Sequence, residues 1–396
     1  MMKMTNLYFS PYYLGSLIRE NSMKRGFMAG SPFTAALLTL ALGVQVLGPG
    51  APVAWAANPP TTKPAAPKPV APKPATPPKP AAPVVQGTTQ LAGGVATVGK
   101  TYTLFLGTTD AINYTIRKAE YSVGHFYKGG EDDIVPAGYK ALILHLTVQN
   151  PQKQERGISG GSIRFTGVDS KNQSVSGDGP WFDEATHSEV SLLLKPGQKI
   201  DVYTRIVLAA DVSLPKLIVD DANSKVWRYD LKGQVTPLAA PFADPAVKDG
   251  SAALDEVPGK AGVFYPAVLD LRVDKVDVPA TVPEGMDVGS DQRVVVVYLT
   301  FHNANLVPQS MVPGAAYSFA ASLLDQDGIG AEYQHLYLGT RDRELGGDLP
   351  AGKDASARVL FAVGNDVVPT TLKLRLGGGL RFYTIALPPL PAKPAP

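Results

Sequence analysis

A stretch with apolar residues at alternate places, written twice, constrains this chain most. Lys140–Asn150 reads Lys-Ala-Leu-Ile-Leu-His-Leu-Thr-Val-Gln-Asn, and Arg293–Asn303, 153 positions on (293 − 140), reads Arg-Val-Val-Val-Val-Tyr-Leu-Thr-Phe-His-Asn. Leu142, Leu144, Leu146 and Val148 take alternate places in the first stretch, and Val295, Val297, Leu299 and Phe301 match them in the second. A spacing of two puts such residues on one face of a β-strand. Each copy opens on a basic residue and closes on Asn, where a turn is expected.

More of the chain repeats in the same order. Leu194-Lys195-Pro196-Gly197 corresponds to Leu349-Pro350-Ala351-Gly352. Ile200, Val202, Thr204, Ile206 and Leu208 then alternate, as do Ala355, Ala357, Val359, Phe361 and Val363. Trp227, Tyr229 and Leu231 close the first copy, and Tyr383, Ile385 and Leu387 the second. Short strands separated by Gly, Pro, Asn and Asp turns predict antiparallel sandwiches. The expected fold is all-β: two tandem immunoglobulin-like sandwiches over 101–235 and 260–388. Between them 236–259, with Pro237, Pro241, Pro245 and Pro258, reads as an exposed connection, so the two halves are expected to fold separately.

The N-terminal region carries export signals. Lys24 and Arg25 precede the apolar run Phe33–Leu47, and Ala54-Trp55-Ala56 is a small-x-small cleavage signal, with the cut expected before Ala57. Residues 1–56 are therefore read as a signal peptide, with Met23 as an alternative start. The apolar run is short for a membrane span, so no span is expected in the mature chain, which is placed outside the cytoplasm. Residues 57–100 read as a linker. Lys-Pro and Ala-Pro steps dominate it up to Val84, a composition that cannot form a core and favours polyproline II. The tail 389–396 is similar. Formal net charge is +2, too small to point to nucleic acid or an anionic membrane. Cysteine is absent, which excludes disulfides, thiolate metal sites and a Cys nucleophile.

Lys140–Asn150, Val168-Asp169-Ser170-Lys171-Asn172, Leu194-Lys195-Pro196-Gly197 and Trp227–Leu231 together resemble the telokin-like immunoglobulin-fold domain of unknown function found in exported bacterial proteins. The second copy departs from it, with Pro-Ala-Gly for Pro-Gly and a loop after Asn303 interrupted by Pro308 and Pro313. The resemblance implies a sandwich and export, and supplies no catalytic residues.

Chemistry is sparse. His125, His145, His187, His302 and His335 share no ligand spacing, and His145 should lie on an outer sheet face. Asp325-Gln326-Asp327-Gly328 suggests a Ca²⁺ loop but lacks the closing Glu, and suits a hairpin turn. No Gly-x-Ser-x-Gly and no phosphate loop occurs. No cofactor or metal is expected. The remaining candidates are aromatic. Trp181 and Phe182 stand in a Gly/Asp/Pro-rich loop and are candidate partner-binding anchors. Tyr333 and Tyr337, with His335 between them, are candidates to pave a sheet face. The alternative is that Trp181 plugs its sandwich and the tyrosines pack. The expected function is a non-catalytic envelope binding or scaffold protein whose partner is a protein or envelope glycan. The alternative is a secreted glycan hydrolase using loop carboxylates near Trp181, such as Glu184 and Glu189.

Overall fold

The computed structural model describes residues 93–390, apart from 129–130, 178, 221–224 and 313–317. The residues read as signal peptide, the alternative start Met23, the segment read as Pro-rich linker up to residue 92, Pro313 and residues 391–396 of the expected tail lie outside the described residues. What is described falls in one compact unit, Ala81–Pro396.

The first set of strands is β1 (Gly93–Ala96), β2 (Thr101–Leu104), β3 (Ile112–Ser122), β4 (His125–Lys128), β5 (Glu131–Ile134), β6 (Tyr139–Gln149), β7 (Arg156–Ser159), β8 (Arg164–Val168), β9 (Ser174–Ser176), β10 (Phe182–Asp183), β11 (Ser191–Leu194), β12 (Lys199–Ala209), β13 (Lys216–Asp220), β14 (Val226–Asp230) and β15 (Val235–Thr236). The second set is β16 (Glu256–Gly259), β17 (Asp270–Asp277), β18 (Gln292–His302), β19 (Gln309–Ser310), β20 (Phe319–Leu324), β21 (Gly330–Glu332), β22 (His335–Leu338), β23 (Asp348–Leu349), β24 (Asp354–Gly364), β25 (Thr371–Leu376) and β26 (Phe382–Ala386). A 3-10 turn at Gly160–Ser162 is the one helical element among the described residues.

Each set makes two sheets in the same order. In the first, β1-β14-β13-β8-β9 packs against β10-β12-β6-β3-β15, with β2 also on β3. In the second, β16-β26-β25-β20-β21 packs against β17-β18-β24-β22. The first strand of each set runs parallel to the last long one, β1 to β14 and β16 to β26. Small ribbons, β7-β11 and β19-β23, sit at matching places. The fold is therefore all-β and built of β-sandwiches.

The repeated stretches are the central strands β6 and β18. Leu142, Leu144, Leu146 and Val148 are fully buried, as are Val295, Val297, Leu299 and Phe301. Burying one such side chain contributes about 1.5–3 kcal/mol, so a slip of register by one residue would turn the whole set to solvent. The closing asparagines explain themselves here. Asn150 is buried and its Nδ2 donates to Gln154 O (2.7 Å) and Leu194 O (2.8 Å), while Oδ1 accepts from Gln152 N (2.9 Å). Asn303 repeats this with Val307 O (2.9 Å), Leu349 O (2.8 Å) and Asn305 N (3.0 Å). One amide thus ties the strand end to the Pro-Gly or Pro-Ala-Gly turn in each copy.

Three expectations need correction. Gly93–Ala96, read as linker, is strand β1, because β14 offers it an unpaired edge. Glu256–Gly259, also read as linker, is β16 of the second set. The connection is not simply exposed: Leu238, Ala252 and Val257 are buried, and Phe242 packs against both cores. Its prolines and small residues let the chain lie close between the sandwiches instead of spanning solvent.

Candidate functional site

Convergent polar side chains gather on the outer face of the β10-β12-β6-β3 sheet. Alternation turns Ile143, His145 and Thr147 of β6 away from the core. A β-bulge in β3, between Ile116 and Lys118, then adds an extra residue opposite His145. It turns both Arg117 and Lys118 to the surface, where plain alternation would present one. The second sandwich has the same bulge between Val273 and Lys275.

His145 stands at the centre. Its Nδ1 lies 2.7 Å from Glu184 Oε1 and its Nε2 lies 3.0 Å from Glu120 Oε1. Arg117 Nη2 pairs with Glu184, and its Nε lies 3.7 Å from Asp201 Oδ1. Lys118 Nζ pairs with Glu120 Oε2 at 2.5 Å. Thr147 Oγ1 donates to Asp201 Oδ1 at 2.6 Å. Burial alone would raise both glutamate carboxyl groups. Hydrogen bonds from Lys118 and His145 to Glu120, and from Arg117 and His145 to Glu184, outweigh it and hold both below the ordinary range. Both carboxylates are thus stabilised in the ionised form.

Glu184 reaches the sheet on a loop fixed from within. Asp183 Oδ1 accepts from Ala185 N (3.0 Å), Thr186 N (2.8 Å) and Thr186 Oγ1 (2.9 Å). Glu184 N donates to Asp201 O at 3.1 Å. Beside this network lies an aromatic cluster. Phe126 of β4 meets Phe182 and Tyr203 edge-on, with centroids 5.2 and 5.3 Å apart. Arg205 stacks over Phe126 at 4.3 Å and pairs with Asp133.

The candidate anchors do not form a surface. Trp181 and Phe182 are both fully buried. Trp181, just before β10, points inward and packs with Phe165 in the core, while Phe182 of β10 points outward, where the β4-β5 hairpin covers it. The described residues of the 177–183 loop are themselves buried or half-buried. Tyr337 is 5% exposed and donates to Glu284 O at 3.1 Å under Met286 and Val288. Tyr333 packs edge-on against Phe319 at 5.1 Å, on the inner side. It precedes β22, where the chain crosses from one sheet to the other, so alternation does not carry from Tyr333 to Tyr337. Phe182 and Tyr337 prove to be counterparts: Phe182 pairs with Tyr203 and bridges to Glu189, and Tyr337 pairs with Arg358 and bridges to Glu344.

The other candidates resolve simply. Asp325 Oδ1 accepts from Asp327 N and Ile329 N, both at 2.9 Å, which makes the suggested cation loop a self-capped turn. Asp169 does the same with Lys171 N and Gln173 N. Glu189 is exposed, while Glu184 is committed to Arg117 and His145. Among the described residues no three His, Cys, Asp or Glu side chains converge to hold a metal. No helix among them is long and apolar enough to cross a membrane. The charged network itself went unread in the sequence. The signal present was the excess of charge in Ile112–Ser122, where Arg117-Lys118 breaks the alternation.

No protein-family model and no curated protein matches the chain. Solved structures similar to it include an uncharacterized β-sandwich protein from Clostridium difficile, 14% identical, covering 37% of this chain and 98% of that one, with a TM-score of 0.29. A secreted protein from Mycobacterium tuberculosis is 16% identical, covers 33% of this chain and 97% of that one, and has a TM-score of 0.24. An anti-sigma factor domain-containing protein from Clostridium clariflavum is 11% identical with a TM-score of 0.16, covering 69% and 97%. At these scores the likenesses carry no argument about activity.

Proposed function

We propose that the chain is an exported, non-catalytic binding or scaffold protein of a bacterial envelope, with two telokin-like, immunoglobulin-like modules carried on a Pro-rich stalk. The observation that carries this reading is the state of the outer face around His145. Its carboxylates are paired with cations and held ionised, which is opposite to what a general acid in glycoside hydrolysis needs. Two open grooves on the first sandwich measure about 240 Å³ (beside Phe126, Pro180 and Arg205) and 250 Å³ (beside Val95, Lys216 and Tyr229). Both fall below the roughly 300–1,000 Å³ of small-molecule sites. A face of balanced, half-exposed charges suits a macromolecular partner, where such groups set orientation and specificity. Export is supported by Phe33–Leu47 and Ala54-Trp55-Ala56.

The test is capture by the immobilised mature chain from envelope extract, beside a variant carrying Arg117→Glu and Lys118→Glu. The reading expects a protein or glycan retained by the parent chain and lost with the variant. Turnover of wall or surface glycan by the parent chain, abolished by Glu184→Gln, would refute it in favour of the hydrolase.

A further inference from the structure

The tip of the hairpin between β25 and β26 carries a residue that its own sandwich does not use. Arg381 is 3% exposed. Its Nε donates to Leu254 O at 2.8 Å, its Nη1 to Val135 O at 2.8 Å, and its Nη2 to Tyr139 O. Val135 and Tyr139 flank the start of β6 in the first sandwich, and Leu254 belongs to the connection. Burial pushes the guanidinium's affinity for its proton down, with Asp255 and Tyr383 nearby pulling the other way.

Further contacts surround this one. Ala137 N donates to Gly379 O at 2.9 Å, and Gly138 N to Asp255 Oδ1 at 2.5 Å. On the flank, His125 Nε2 lies 2.5 Å from Asp270 Oδ1. Below, Lys140 Nζ donates to Ala210 O at 2.7 Å and to Ser251 O. Ala253 N donates to Ala210 O at 2.9 Å, which fixes the connection to the first sandwich.

A buried guanidinium is costly to desolvate, and only acceptors in good geometry offset that. Here the acceptors come from outside its own sandwich. A small opening of the junction would leave the charge buried with fewer carbonyls, which is worse than either end state. The planar fork of Arg, with five N–H donors, reaches three carbonyls at once, and a Lys ammonium cannot match that geometry. We propose that Arg381 is the lock of the junction, holding the two sandwiches in one fixed orientation so that they move as a single body. This goes beyond the binding reading and does not depend on it.

The full chain is free of cysteine, so Val207→Cys and Ile329→Cys place one spin label on each sandwich, at exposed sites. The parent should give one narrow distance distribution. Arg381→Ala should broaden it, Arg381→Lys should broaden it less, and Lys373→Ala, which removes the surface pair to Glu256, should leave it narrow. A broad distribution in the parent overturns the proposal. So does a narrow one in both Arg381 variants. If Arg381→Ala does not fold, the Arg381→Lys distribution decides: broader than the parent supports the lock, and unchanged overturns it.

Discussion

Lys140 shows how a single side chain can set a pH dependence. Burial pushes its amine from the ordinary 10.5 down to about 8, against the pull of Asp211 and Asp249. Below about pH 8 the folded and unfolded chains both carry the proton. Between about 8 and 10.5 the unfolded chain holds more, so this group makes stability rise with pH across that window. Urea midpoints at about pH 7.5 and 9.5 should therefore move up more in the parent than in Lys140→Met. Parallel shifts would show that the amine is not buried as described. Asn150 works differently. Asn150→Ala strands the Gln154 and Leu194 carbonyls and the Gln152 amide, and should cost roughly 2–4 kcal/mol. Asn303→Ala should cost a similar amount, read from chemical denaturation. If either change is silent, the amide tie does not hold its turn.

At the scale of the element, β6 and its neighbours hold both the core and the charged face. Leu144→Ala should destabilise by about 2–4 kcal/mol through lost burial and the cavity left behind. An unchanged unfolding curve would mean that the register is wrong. On the outer face, Glu120 and Glu184 have folded values held below ordinary. Their stabilisation is present above the ordinary carboxylate range and is lost as pH falls through the lower folded values. Glu184→Gln should therefore flatten the loss of stability as pH falls below the ordinary carboxylate range, and an acid limb as steep as the parent's would contradict the network. The inward faces were legible in the sequence because alternation at Leu142–Val148 and Val295–Phe301 reports burial directly. The network was not. Its members come from β3, β6, β12 and the Glu184 loop, and only the bulge at Arg117 and the pairing register bring them together. The aromatic loop misled for a related reason. A Gly/Pro-rich segment predicts exposure of the backbone, yet Trp181, just before the two-residue strand β10, turns into the core and Phe182, its first residue, lies under a hairpin.

For the whole molecule, the second set of strands reproduces the first down to the bulge, the Asn tie and the turn after Leu194 or Leu349. Most of that repeat was visible as matched turns and faces. The way the sandwiches meet was not, because prolines and small residues from Thr236 to Pro258 describe an exposed tether and a tight junction equally well. Backbone carbonyls, invisible to sequence pattern, receive Arg381 and Lys140. The central claim is that the two sandwiches form one unit. Calorimetry of the full chain tests it most directly. The account predicts a single transition whose calorimetric and van't Hoff enthalpies agree; two resolved transitions, each unaffected by Arg381→Ala, would contradict it.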